Sequence, residues 1–367
     1  MRVVIAPDSF KGSAEAPVVA AQLAAGWRSV RPGDTIEERP MADGGEGTMD
    51  ALKAAVPDAV RMPVAVHGPD DRAVDTRWLL LPNASRTGGD VGVVELAAAS
   101  GITLLDRLRP LTAHTVGFGE AIVAALEHGV DSLLLAIGGS ASTDGGTGAL
   151  AALGARFLDR SGAPVAAGGA GLAEIATVDF GALRALPPGG ARILSDVTNP
   201  LTGPRGAAAV FGAQKGADAP TRAALDDALR HLATVAAGEG LAARPGAGAA
   251  GGTGFGLLLW GADLVAGAAA VGDAMALPAA VAGADAVITG EGRFDGQTAD
   301  GKVPGYVAGL ARSGRMLLVA GGIEAEPAGF DDAVSLTDLG GSVEAAMAEP
   351  ARLLREAGAE LARRIRP

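Results

Sequence analysis

Cysteine is absent from these 367 residues, which removes disulfides, thiolate metal sites and thiol catalysis together. Aromatic residues are scarce too, at 3% of the chain. The core must therefore come from the Ala, Val and Leu within the 49% hydrophobic content. No basic stripe or basic–aromatic interleaving accompanies the formal charge of −12, so nucleic acid is not an expected partner. No membrane span is expected either, because Asp263, Asp273 and Pro278 interrupt the longest apolar tract, 256–284. His67, His114, His128 and His231 lack metal-ligand spacing, and no Gly-x-Ser-x-Gly nucleophile elbow occurs. The opening MRVVIAP carries no signal-peptide pattern, and a soluble cytoplasmic protein is expected.

Glycine is plentiful, at 56 residues, and with 21 prolines it implies many tight turns. The length favours two domains over one core. Arg2–Pro7 reads as a strand, 8–13 as a loop, and 14–29 as a helix with Ser13 as its N-cap. The sequence repeats that order with a strand at 35–41, the glycine loop 42–48 and a helix at 49–55, as a doubly wound α/β fold requires. Strand-like runs at 60–66, 74–81 and 91–97 have no helix between them and should be antiparallel. A helix at 117–128, strands at 132–137 and 193–197, and a helix at 221–237 follow. Residues 245–256 are almost all Gly, Ala and Thr, either a flexible loop or a second ligand-facing one. The strand 284–290 then ends in a polar tip, 291–298, before a helix at 303–312, strands at 315–321 and 333–337, and a closing helix at 343–366. The two ends look alike and the middle differs. That pattern predicts a Rossmann- or flavodoxin-like parallel α/β domain from residues 1–65 and 284–367, with an inserted mixed α/β domain at 66–283.

Ligands of open α/β sheets bind at the carboxyl ends of strands. Those ends gather Asp8, Lys11, Asp43, Glu46, Asp144, Asp196, Glu291 and Asp295, mostly carboxylates flanked by glycine or a hydroxyl residue. One such carboxylate is ordinary, often a helix cap. The set together points to a site that gathers cations or activates a hydroxyl. The loop Gly138–Gly148, GGSASTDGGTG, follows a strand and opens a helix, a pattern for a phosphate site with a metal or for a tight turn capped by Asp144. Lys11 and Lys215 stand beside glycines, where an ammonium group can meet phosphate oxygens. Residues 296–302 imitate a phosphate-loop spacing, but Val303 stands where that motif needs Ser or Thr. No dinucleotide fingerprint survives at Gly117-Phe-Gly119 or Gly252-Thr-Gly254.

Five stretches together resemble the bacterial glycerate kinase family: APDSFKGS at 6–13, PMADGGEGT at 40–48, GGSASTDGG at 138–146, DVTNPL at 196–201 with VFGAQKG at 210–216, and TGEGRFDGQT at 289–298 with Gly301-Lys302. They run in order along nearly the whole chain. The departures are small: Thr143 where the family tends to have Asn, Thr202 for Cys and Ala213 for Pro. The resemblance implies two α/β domains with the active site in the cleft between them. It also implies transfer of the γ-phosphoryl of ATP to D-glycerate with Mg²⁺, giving 2-phosphoglycerate. Glycerate 3-kinase activity, a kinase of another small hydroxy acid and a non-enzymatic sensor are the rival readings. The partners would be these small molecules alone, on a monomer or homodimer.

Chemistry and motif together assign provisional roles. Gly138, Gly139, Ser140, Thr143, Asp144, Gly145, Gly290 and Gly292 are expected to hold the nucleotide. Asp8, Ser9, Lys11, Asp43, Glu46, Asn199 and Lys215 are expected around the substrate. Asp196 is the first choice to orient or deprotonate the acceptor hydroxyl and Asp43 the second, while Lys11 neutralises the moving phosphoryl or holds the glycerate carboxylate. Asp144, Glu291 or Asp295 would coordinate Mg²⁺, directly or through water.

Overall fold

A computed structural model describes residues 1–85, 88–295, 302–310 and 314–365. The imitation phosphate loop at 296–301 and the ends of the expected helices at 311–312 and 366 lie outside the described residues. The strands are β1 (Arg2–Ile5), β2 (Thr35–Glu38), β3 (Val60–His67), β4 (Ala73–Leu81), β5 (Val91–Glu95), β6 (Ser132–Ala136), β7 (Arg156–Leu158), β8 (Thr177–Asp179), β9 (Ala191–Leu194), β10 (Asp263–Val265), β11 (Ala286–Phe294), β12 (Arg315–Ile323) and β13 (Asp332–Ser335). The chain forms two compact units, one of residues 1–43, 50–57 and 266–367, the other of 44–49 and 58–265. The N-terminal part of the first unit ends at Pro57 rather than 65, because β3 pairs along its whole length with β4 of the second unit, and the first unit's C-terminal part begins at Ala266 rather than 284.

The first unit is a fully parallel sheet in the order β13-β12-β11-β1-β2. Its central strands read as unbroken apolar runs, as a sheet covered on both faces demands. Val3, Ile5, Ile288, Leu317 and Val319 lie in one buried cluster with Leu23 and Trp27 from the helix Ala16–Val30 and Leu353, Leu354 and Leu361 from the helix Pro350–Arg364. Those helices touch backbone to backbone. A Cβ on Gly26 would lie 2.0 Å from the Arg355 carbonyl oxygen, and one on Gly358 would lie 2.3 Å from that of Leu23.

The second unit holds a six-stranded sheet, β10-β9-β6-β5-β4-β3, and a ribbon of β7 with β8. Its β3–β4–β5 part is antiparallel, as their short connections require, and β5, β6, β9 and β10 are parallel. Phe118, Ile122, Leu133, Leu135, Ile193 and Phe255 anchor its core. No helix among the described residues is long and apolar enough to cross a membrane.

Several local expectations change. Ser13 does not cap the first helix: its hydroxyl donates to the Phe10 carbonyl at 3.0 Å, and the helix begins at Ala16 after Glu15. The closing helix is two, Val343–Ala348 and Pro350–Arg364, broken at Glu349 by the proline that follows it. β11 does not end at Gly290 but runs on to Phe294, pairing Glu291 with Ala320 and Arg293 with Gly322. Residues 245–256 are not a flexible loop: 246–249 are buried, and Ala250, Gly251 and Gly252 carry left-handed φ values of 54°, 68° and 89° inside the helical segment Ala249–Trp260.

The helix contact in the first unit yields a stability test. Gly26→Ala should destabilise the protein by about 1–3 kcal/mol through overpacking, whereas Val18→Ala on the exposed face of the same helix should stay within about 0.5 kcal/mol. Urea midpoints that are equal for Gly26→Ala and the parent chain would refute the backbone contact.

Candidate functional site

Strand order in the first unit reverses between β1 and β11, since β2 lies on one side of β1 and β12 and β13 lie beyond β11. Such a switch point opens a crevice at the carboxyl ends of the strands, and the polar residues gather there. Past β1 the chain keeps pairing with β11: Ala6 donates to Ile288 and Asp8 to Gly290, at 2.7 and 2.8 Å. Gly290 is a glycine because a Cβ there would lie 2.0 Å from the Val319 carbonyl oxygen, and Gly292 lets the 10–11 backbone lie against it.

This register brings Asp8, Lys11, Asp43 and Glu291 into one electrostatic group. Asp8 and Glu291 are each 7% exposed. The Lys11 ammonium reaches Asp43 at 3.5 Å from an otherwise exposed side chain. Lys302 lies 3.7 Å from Glu291 and 3.8 Å from Asp295. Among the described residues, four carboxylates against two lysines leave the cluster acidic. Burial first, and then the charge of Asp43, push the Asp8 pKa up to about 7, with Glu291 adding to the rise. The Ser9 amide and Lys11 pull it the other way. The Lys11 pKa is raised above its ordinary value chiefly by Asp43. Ser9 itself is half-buried, and its amide donates to the Asp8 carboxylate at 2.6 Å.

The second unit organises its polar residues differently. The loop after β6 is buried from Ser140 through Leu150, and only Gly138 and Gly139 reach solvent. Asp144 lies at its centre, fully buried. Its Oδ2 accepts from the Thr115 amide and hydroxyl, at 2.8 and 2.7 Å, and from the Gly148 amide at 3.3 Å. Its Oδ1 accepts from the Ser142 hydroxyl at 3.1 Å and the Gly146 amide at 3.2 Å. The N–H groups expected to be open at the start of the helix Thr147–Ala152 are thus already occupied by Asp144, and that of Ala149 by the Thr115 hydroxyl. Lys215, 2% exposed, donates to the Ser140 hydroxyl at 2.7 Å and to the Ser142 carbonyl. Burial pushes its pKa down to about 7 against the field of Asp144. The Thr143 hydroxyl is buried without a hydrogen-bond partner among the described residues.

The remaining expected residues also fall in this unit. Asp196 follows β9 and is half-buried, Glu46 is exposed, and the Asn199 amide donates to the Arg205 carbonyl at 2.7 Å. Residues 44–49 rest on Glu95 at the end of β5, whose carboxylate accepts from the amides of Gly47 and Met49, at 3.0 and 3.1 Å. Sequence reading missed Glu95, Thr115 and Gly251. Only the polar end of an apolar strand marks Glu95 in advance, and nothing in the spacing joins Thr115 to Asp144.

A magnesium ion needs one or two carboxylates and completes its octahedron with water and phosphate oxygens. No three acidic or histidine side chains among the described residues are arranged to cage a metal alone. The acidic excess of Glu291 and Asp295 around Lys302 suits the looser arrangement. Asp144, with both oxygens engaged, does not.

These features define an α/β enzyme whose polar groups cluster at the carboxyl ends of parallel strands. The model of the glycerate kinase family matches residues 3–366. Glycerate kinase of Bacillus subtilis strain 168 is 43% identical over 85% of this chain and 82% of its own length. Glycerate 2-kinase of Escherichia coli K12 is 40% identical over the same shares. A crystal structure from Salmonella typhimurium LT2, described as a candidate glycerate kinase 2, superposes with a TM-score of 0.84 at 38% identity, covering 99% of this chain and 97% of that one. The chain belongs to the glycerate kinase family.

The Asp8 carboxyl makes stability depend on pH. The folded protein holds this proton more tightly than the unfolded chain, whose carboxyl titrates near 3.8. The stability it contributes is complete below that pH and is lost as pH rises through about 7. Asp8→Asn should therefore raise Tm by about 2–4 °C at pH 8 and leave it unchanged near pH 4. A lower Tm than the parent at pH 8 would contradict this account of the acidic cluster.

Proposed function

We propose that this chain transfers the γ-phosphoryl group of ATP to D-glycerate, with Mg²⁺, to give 2-phosphoglycerate and ADP. The observation that carries this reading is the acidic cluster around Lys11 at the β1–β11 switch point, within a chain that matches the family from end to end. The 2-position follows the name of the Escherichia coli relative.

Phosphoryl transfer asks the protein for positioning and charge neutralisation more than for covalent chemistry. In this reading the 2-hydroxyl oxygen of glycerate bonds to the γ-phosphorus as the bond from that phosphorus to the β,γ-bridging oxygen breaks. The hydroxyl proton passes to a carboxylate. Asp196 takes that role, at the end of β9 where a half-buried carboxylate stays in reach of solvent. Lys11 meets charge on the moving phosphoryl or the glycerate carboxylate, and Asp43 fixes its direction. Ser9 and Asn199 line the substrate from their loops. Mg²⁺ would be held by Glu291 and Asp295, displacing the hold of Lys302. When bound, it would draw charge from the phosphate oxygens. Gly138 and Gly139, the solvent-reaching start of the second unit's loop, meet phosphates through their backbone, while Ser140, Thr143, Asp144 and Gly145 shape them from beneath. Gly290 and Gly292 act by seating the 8–11 loop.

Phosphorus NMR of the product from ATP and D-glycerate should show 2-phosphoglycerate. A 3-phosphoglycerate resonance, or no product, would overturn the assignment. Asp196→Asn should lower kcat by ~10²–10⁴-fold while the dissociation constant for ATP changes little, and near-parental kcat would remove Asp196 from the proton's path.

A further inference from the structure

Lys215 ends the short helical turn Ala213–Lys215 and is 2% exposed, where an ammonium group is costly unless its donors are used. Both of its named acceptors, the Ser140 hydroxyl and the Ser142 carbonyl, belong to the loop after β6. A second element grips the same arc. Gly251, at φ +68°, passes so close that a Cβ would lie 2.0 Å from the Ser142 carbonyl oxygen and 2.9 Å from the Lys215 Nζ. The Gly251 carbonyl accepts from the Gly145 amide at 3.1 Å. Residues 140–145 are thus held by Lys215 and by the left-handed turn at 250–252, and Gly138 and Gly139 emerge from the held arc into solvent.

We infer that Lys215 is a positioning residue: it clamps the Ser140–Ser142 arc from inside the second unit and so fixes Gly138 and Gly139, without touching substrate. This replaces the substrate contact expected from its motif, and it rests on the reading that those two glycines meet phosphates. The Ala-Gly-Gly turn is part of the same clamp, since no side chain larger than hydrogen fits at Gly251.

The test reads the loop and the reaction separately. Hydrogen exchange on the free protein should show the amides of residues 141–146 exchanging about tenfold faster or more in Lys215→Met, with β5 and β6 unaffected. The KM for ATP should rise about tenfold while that for glycerate holds within about twofold. Parental exchange rates in the loop would overturn the clamp, as would a rise confined to the KM for glycerate. Faster exchange with an unchanged KM for ATP would support the clamp and overturn the phosphate reading of Gly138 and Gly139. Should Lys215→Met fail to fold, Ser140→Ala removes one acceptor and should show the same pattern at smaller amplitude.

Discussion

Close approach of backbone to backbone is the constraint on which both units depend. With aromatics at 3% of the sequence, the chain has few large side chains to fill space between elements. It closes that space by letting elements touch at glycine. In the first unit the helices Ala16–Val30 and Pro350–Arg364 meet at Gly26 and Gly358, and β11 meets β12 at Gly290. In the second, a Cβ on Gly117 would lie 1.9 Å from the His67 carbonyl oxygen, and one on Gly138 would lie 2.5 Å from the Cα of Gly45. Such contacts gain dispersion across many atom pairs without a bulky side chain. They tolerate no added methyl, so glycine at these positions is a packing requirement first. The same constraint holds just past the end of β6 and within β11: Gly138 and Gly290 are glycines because neighbouring backbone lies against them.

Two buried carboxylates show how surroundings separate structure from chemistry. Asp144 accepts from five donors, three of them backbone amides, so both of its oxygens are spent on holding the loop. Asp8 has one amide donor, a neighbouring Asp43 and little solvent, so its charge is opposed. A carboxylate whose oxygens are both engaged by its own loop shapes that loop. One whose charge is resisted by its neighbours gains from an arriving cation, and that is the condition expected of a site that works on anions through a metal.

The sequence disclosed the strand order of chemistry better than its wiring. Strand-like runs with no helix between them identified β3, β4 and β5 as antiparallel, and the apolar runs before Asp8, Gly138 and Glu291 identified the strands that carry them. The role of Asp144 could not be read, because Gly-Gly-Ser-Ala-Ser-Thr-Asp-Gly-Gly suits an open anion loop and a self-capped turn equally. The choice between them lies with Thr115, far upstream in the chain, whose amide and hydroxyl complete the carboxylate's shell. Glu291 was read as a tip because the apolar pattern stops there. The strand continues because Gly321 and Gly322 of β12 leave room for polar and glycine partners alongside. The left-handed turn at 250–252 was hidden by composition: Ala and Gly report neither period nor partner.

The same contrast accounts for the placement of the lysines. Lys11 stands exposed beside Asp43, free to exchange its partner for an arriving anion at small cost, since an exposed ion pair contributes little. Lys215 is buried on a hydroxyl and a carbonyl, and moving it would strand an ammonium group in the core. The difference in what it costs to move each lysine is a consequence of burial. The contrast between an exposed lysine beside a carboxylate and a buried one on a hydroxyl and a carbonyl therefore follows from where each lies in the fold. At Lys215 it is Gly251, with no side chain to hold the backbone away, that lets the turn at 250–252 pack directly against the ammonium group and the Ser142 carbonyl.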